Sequence, residues 1–316
     1  MGSENLTFVS EFILMGLSNH HNTQILLFVV ILIVYTITLV GNLVIIMLVQ
    51  TDPRLHTPMY FFLTHLSGLE ICYVSSTVPQ MLAHLLSGNR TISFTRCAAQ
   101  MYIALSLGST EGLLLGAMAY DRYLAICRPL LYAVLMDKRW QLKLATTSWV
   151  GGFLLSVMNV GCTLRLPFCG PNHINHFFCE LPVVLKLACA DTHSTEAVIF
   201  GAAVLILLVP LSVILISYGL ILSSVLQMQS AAGRSKAFST CASHLAVVTL
   251  FYGTVISMYM RPRSATTPDR DKKIAVFYIV VTPLLNPIIY TLRNKEVHEA
   301  VAKVLQKGAW NKKDKH

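Results

Sequence analysis

Charge is what this chain has least of. Only 12% of its 316 residues are charged while 54% are hydrophobic, against about 25% charged in a soluble domain. With a mean hydropathy of +0.62, that excludes an ordinary soluble globule and points to an integral membrane protein. Lysine and arginine are missing from residues 1–24, and the apolar patch Phe12 to Leu17 is short, so no secretory leader is expected. Leu6 stands where N-myristoylation needs Ser or Thr. Internal repeats, low-complexity tracts and heptad runs are absent, and so are the paired halves or broken helices of many transporters. The net charge of +9 is not gathered on one compact basic face, which excludes nucleic acid as a partner and leaves topology as its meaning.

Long apolar runs are what the chain has instead. Seven are expected to span a bilayer, at about residues 25–49, 59–86, 98–127, 142–161, 197–226, 237–260 and 274–292. The fourth is the weakest, diluted by Thr146, Thr147 and Ser148; Gly41-Asn42, Glu70, Pro79, Pro210, Pro283 and Pro287 interrupt others. The fold class is an all-α membrane protein, a seven-helix bundle in contact with lipid. An odd number of spans separates the termini. Arg54, Arg128, Lys138, Arg139, Lys143, Arg234 and Lys236, with seven more basic residues after Leu292, mark one side as cytoplasmic. The N-terminus is then outside, although Arg261, Arg263, Arg270, Lys272 and Lys273 weaken the bias. The expected organisation is an extracellular tail (1–24), the bundle (25–292), and a cytoplasmic segment (293–316) with a short amphipathic eighth helix and a lysine-rich end. The sequon Asn5-Leu6-Thr7 fits an outside tail. Residues 162–196, rich in Cys, His and Pro, are too many for a plain connector.

The stretch from Cys97 to Arg128 organises the rest. As a helix it covers roughly 37 Å between Cys97 and Arg122 at 1.5 Å per residue, so the cysteine lies at one membrane face and Asp121-Arg122-Tyr123 at the other. Glu111 shares a face with Arg122, which turns that face inward, toward other helices. A guanidinium at the lipid boundary needs a partner, and Asp121 adjoins it; such a pair either anchors the helix or locks one packing and releases another. Glu70 and Glu111 cannot both ionise in a bundle core without a cation or a shared proton. Of eight cysteines, Cys97, Cys169, Cys179 and Cys189 lie toward the outer face, where three pairings are open. The others, Cys72, Cys127, Cys162 and Cys241, read as free apolar fillers. Nothing near the carboxylates supplies a nucleophile, so no enzyme is expected.

Met118-Ala-Tyr-Asp-Arg-Tyr-Leu-Ala-Ile-Cys127 resembles the central signature of the olfactory receptors, a branch of the rhodopsin-like G-protein-coupled receptors. Gly41-Asn42, Pro58-Met-Tyr-Phe-Phe-Leu63, Ser235-Lys-Ala-Phe-Ser-Thr-Cys-Ala-Ser-His-Leu245 and Pro283-Leu-Leu-Asn-Pro-Ile-Ile-Tyr290 are similar to that family's motifs on the first, second, sixth and seventh helices, with Ala242 where Ser is more usual. The whole resembles the tetrapod-type class, which mostly detects volatile, rather apolar compounds. The resemblance implies a plasma-membrane receptor that binds a small odorant and activates a heterotrimeric G protein of the stimulatory, olfactory type, raising cAMP. A non-olfactory chemoreceptor of the same fold, or a transporter or channel, is the rival. It further implies a latch at Asp121, Arg122 and Tyr123 with Tyr218, Lys236 and Tyr290 around it, disulfides Cys97–Cys179 and Cys169–Cys189, and a sodium-type site at Glu70 and Glu111. The expected pocket lies among the outer halves of helices three, five, six and seven. Its candidates are Met101, Ala104, Leu105, Gly108 and Ser109; Ala202 and Ile206; Tyr252, Val255, Ile256 and Tyr259; and Val276 and Ile279. Its polar handles are Ser109, Tyr252 and Tyr259, and no acid on the outer third helix is placed to hold an amine.

Overall fold

The computed structural model describes residues 9–169, 172–260, 267–293, 297, 299–300 and 302. Asn5, Arg261, Arg263 and the lysine-rich end lie outside the described residues, as do the side chain of Lys236 and most of the expected eighth helix, of which Val297, Glu299, Ala300 and Ala302 are helical.

In chain order the elements are β1 (Glu11–Leu14), α1 (His21–Thr51), a 3-10 turn (Pro53–Leu55), α2 (Pro58–Ser87), β2 (Thr91–Ser93), α3 (Phe94–Cys127), α4 (Tyr132–Leu135), α5 (Lys138–Leu164), β3 (His173–Ile174), α6 (Leu181–Leu185), α7 (His193–Leu226), α8 (Ala231–Tyr259), α9 (Pro268–Val276), a π-helical turn (Phe277–Val281) and α10 (Thr282–Arg293). The last three run on as one rod. Local chemistry sets the ends. Ser93 and Asp137 accept from the backbone N–H of Arg96 and Trp140 as N-caps of α3 and α5. Pro58 opens α2, and Gly88, at φ 65°, closes it in the left-handed conformation. Several helices begin before their apolar runs, since polar ends stand clear of the hydrocarbon.

Among the described residues, six rods are long and apolar enough to cross a membrane by length and composition: α1, α3, α5, α7, α8 and the α9–α10 rod. The seventh, α2, is 30 residues long, but Thr64, His65, Ser67, Glu70 and Ser76, all buried or half-buried, dilute it. Burial grades the others. The apolar window of α3 is 67% buried, those of α1 and α7 only 22% and 28%. So α3 is the axle, packed most extensively on α5 and α7, while α1 and α7 present exposed Ile, Leu and Val as a lipid-facing belt.

At the end of the bundle that carries the cysteines, β1 lies between β2, antiparallel, and β3, parallel. The patch from Phe12 owes its apolarity to this: Phe12 and Leu14 are 1% and 0% exposed, packed with Ile92, Phe168 and Ile174. Arg90 clamps the following turn, donating to the Met15 carbonyl, to Ser18 O at 3.0 Å and to Asn19 Oδ1 at 2.8 Å. Two disulfides, Cys97–Cys179 and Cys169–Cys189, bind the loop between α5 and α7 to α3 and to itself. Cys72, Cys127, Cys162 and Cys241 are free; only Cys241 is buried, and Cys72 is exposed, so it is no core filler. Loss of a native disulfide costs about 2–5 kcal/mol. Cys97→Ser or Cys179→Ser is therefore expected to hold the protein inside the cell; undiminished surface staining would contradict this.

Candidate functional site

The bundle encloses a cavity below that capped end, lined by α2, α3, α5, α6, α7, α8 and the α9–α10 rod. It holds about 80 Å³. One water needs roughly 10–15 Å³, so the room suits one small ligand. Its walls are largely apolar: Ala104, Leu105 and Gly108 on α3, Leu181 on α6, Ile199, Ala203, Ile206 and Leu207 on α7, Phe251 and Val255 on α8.

Among the pocket candidates from sequence, Ala104, Leu105, Gly108, Ser109, Ile206, Val255 and Tyr259 line this cavity. Met101 lines a small adjoining recess toward the capped end. Ala202, Tyr252, Ile256, Val276 and Ile279 line neither. Each misses by one or a few positions, and one residue along a helix turns a side chain by about 100°. On α7 the lining residue is Ala203, not Ala202. On α8 it is Phe251, because the Tyr252 hydroxyl donates to the Gly112 carbonyl at 3.2 Å and the ring turns to α3. In the last rod the π-helical turn adds a residue to one turn of the helix, and Tyr278 and Thr282 line the cavity in place of Val276 and Ile279.

The cavity has acids at two levels. At the capped end is Glu180, 3% exposed, beside the disulfide-bonded Cys179. Its Oε1 accepts from the hydroxyls of Tyr259 at 3.0 Å and Tyr278 at 2.5 Å. Burial pushes its carboxyl up to about 7, opposed by those two hydrogen bonds. His176 Nε2 stands 3.8 Å from Glu180 Oε2, too far for a hydrogen bond. Burial, helped by the positive Lys272, pushes that imidazole down to about 3, so it is neutral at pH 7 and forms no ion pair. Glu180 escaped the sequence reading, yet a signal was there: the neighbour of a cysteine tied to Cys97 must sit over the start of α3.

Deeper, Glu111 borders the cavity, and the Asn286 amide donates to Glu70. Glu70 Oε2, Glu111 Oε1, Asn286 Oδ1 and Thr282 Oγ1 are buried without a hydrogen-bond partner. A cluster of unsatisfied oxygens fits a hard cation, which takes oxygen ligands, and equally a shared proton. Beside it, Asn42 donates to Thr38 O at 3.0 Å and reaches Pro283 O at 3.5 Å. A Cβ on Gly41 would stand 3.3 Å from Pro287, so Gly41-Asn42 lets α1 approach the bend of α10.

At the other end of α3, Asp121 is 0% exposed. It accepts from Arg122, whose Nε lies 3.1 Å away, and from the Tyr132 hydroxyl of α4 at 2.7 Å. Across the bundle the Tyr218 hydroxyl and His244 Nδ1 are 2.6 Å apart, joining α7 to α8. The Tyr290 hydroxyl is buried without a partner. Tyr123 packs against the small apolar cluster of Ile221, Val225, Ala237 and Cys241. The structure thus gathers Asp121 with Arg122 and Tyr132, and keeps Tyr218 on a different partner.

A family model described as olfactory receptor matches residues 31–308. Putative olfactory receptor 2B3 of Homo sapiens is 51% identical over 305 residues, 96% of this chain and 97% of that one. Olfactory receptor-like protein OLF3 of Canis lupus familiaris is 49% identical over 312 residues, 99% and 96%. Olfactory receptor 2C1 of Mus musculus is 51% identical over 298 residues, 94% and 96%. Among solved structures, the crystal structure of squid rhodopsin is similar in fold with a TM-score of 0.72 at 18% identity, covering 90% of this chain and 81% of that one.

Proposed function

This chain belongs to the olfactory receptor family, and from that premise we propose that it binds a small, mainly apolar volatile in the cavity below its capped end and activates a stimulatory, olfactory-type G protein, raising cAMP. Membership makes it an odorant-sensing, multi-pass receptor of the plasma membrane, a signalling protein rather than an enzyme. The observation that carries the finer reading is the placement of the cavity and of Asp121-Arg122 near opposite ends of one helix, α3. A ligand bound between α3, α7 and α8 biases how those helices pack, and the same three helices bound the far end, where Tyr123 packs against α7 and α8. The N-terminus is outside, with Asn5 glycosylated and residues 293–316 cytoplasmic. Glu70 and Glu111, with Asn286, hold a sodium ion whose charge would offset the two carboxylates. In the active state Tyr218 and Tyr290 move toward Arg122.

Affinity in such a cavity is modest. Burying apolar surface contributes about 25 cal/mol per Å², and the lost freedom of the ligand offsets much of that gain. The test is a cAMP response to a broad odorant panel in cells that display the protein. A concentration-dependent rise that needs the G protein is expected; ion flux without a G protein would overturn the receptor mechanism.

A further inference from the structure

The polar side chains that border the cavity differ in what they still need. The unsatisfied buried atoms on lining residues are Glu111 Oε1, Asn159 Oδ1, Glu180 Oε2 and the Thr282 hydroxyl. The Asn159 amide oxygen can only accept, and so can each carboxyl oxygen when its group is ionised. The hydroxyls of Tyr259 and Tyr278, which could have donated to a ligand, are committed to Glu180 Oε1. Glu111 is engaged with the Glu70 cluster, so the acceptor left at the capped end is Glu180 Oε2, on a side chain 3% exposed. Its recess shares Tyr73, Ala104, Leu105, Leu181, Tyr259 and Tyr278 with the main cavity. A buried carboxylate oxygen with no donor is costly, and a ligand that brings a proton donor relieves that cost where a carbonyl or ether cannot.

We propose that Glu180 is the polar anchor of the ligand, and that the cavity selects small apolar molecules carrying one hydrogen-bond donor, a hydroxyl or an ammonium, over skeleton-matched carbonyl compounds and ethers. The proposal rests on the cavity being the odorant site. It names Glu180 as a specificity-determining residue that Tyr259 and Tyr278 hold in place by fixing one of its oxygens. It also reverses the expectation that no acid is placed to meet an amine, because the acid comes from the loop instead of from α3.

The test uses alcohols, primary amines, aldehydes and methyl ethers on shared hexyl, octyl, cyclohexyl and benzyl skeletons. Cyclic-AMP dose–response curves are recorded for the full-length receptor and for Glu180→Gln and Glu180→Leu. A hydrogen bond to a charged buried group is worth roughly tenfold to a hundredfold in affinity. The donor member of a responding skeleton should therefore exceed its ether by at least about tenfold in potency. Glu180→Leu should collapse that ratio toward one. Glu180→Gln, whose single oxygen stays with Tyr259 and Tyr278, turns an amide NH2 toward the ligand and separates the two donors: an alcohol, which can also accept, still responds, and the ammonium response falls. Because each ratio is read within one variant, reduced surface display does not move it. Ethers or aldehydes as potent as the alcohol and amine, or a ratio unchanged in Glu180→Leu, would overturn the proposal. Silence of the displayed wild type to these compounds and to the broad panel would instead overturn the odorant site itself, and the anchor with it.

Discussion

Gly152→Ala is expected to remove most of the receptor from the cell surface. The buried face of α5 is made of small residues at helical spacing, with Ala145, Ser148, Gly152, Ser156 and Asn159 all buried, which lets the α3 backbone come close. A Cβ at position 152 would fall on the Thr110 hydroxyl, 2.8 Å from the Thr110 backbone nitrogen and 2.9 Å from the Ser106 carbonyl oxygen. Two of those atoms are main chain of the axle helix, so the helices must separate. Overpacking of this kind costs about 1–3 kcal/mol, occasionally more, and even about 1–2 kcal/mol shifts cellular abundance several-fold. The same helix supplies its own controls. At Gly151 the new carbon would meet Leu113 Cδ1 at an ordinary 3.4 Å, and at Gly161 it would meet nothing within 4 Å. There alanine should be neutral or stabilise by up to about 1 kcal/mol, since glycine is the poorer helix former. Surface staining and thermal inactivation of the three variants decide the matter. Equal display of Gly152→Ala and Gly161→Ala would show that the α3–α5 crossing has slack.

The second large effect is on signalling. Arg122→Ala should lower the cAMP response by about tenfold or more, the scale of a coupling energy between sites. A simple truncation has a side effect that the geometry makes plain. Asp121 is fully buried and shared by Arg122 and Tyr132, and stripping one partner from a buried charge is itself destabilising. The informative variant is the double replacement Asp121→Asn with Arg122→Ala, which leaves no unpaired charge. It should reach the surface and stay silent, whereas an odorant response of normal size would show that the pair only anchors α3. Tyr132→Phe removes the second hydrogen bond to Asp121 and should raise basal cAMP, since it loosens the hold on one packing without deleting the arginine.

Much of the architecture was legible because its causes are local. Apolar runs such as Ile25 to Val49 show where rods cross lipid, and Pro58 marks the start of α2; Ser93 and Asp137 start α3 and α5 ahead of the apolar runs read at 98 and 142. The positions of the cavity residues depend on rotation about each rod, and that was legible only where the rod is regular. On α3, Ala104, Leu105, Gly108 and Ser109 follow the helical repeat through a straight segment. Past Pro268 the repeat is broken by a π-helical turn of Phe, Tyr, Ile, Val and Val. Nothing in those side chains announces it, so Tyr278 and Thr282 could not be placed by counting. β1 was illegible for a different reason. Four residues carry too little pattern to mark a strand, and its partners come from two distant segments. Glu180 was hidden by its loop, which has no period to follow.

The pairing of β1 with β3 also has a temporal side. Ile13 and Leu14 sit opposite His173 and Ile174, about 160 positions further along. A ribosome extrudes the first ribbon long before its mate exists. Throughout manufacture of α1 to α5, Phe12 and Leu14 have no finished seat, and the growing polypeptide carries two greasy side chains at its leading end. Quality control in the secretory pathway therefore meets this molecule in a half-closed form on every round of synthesis.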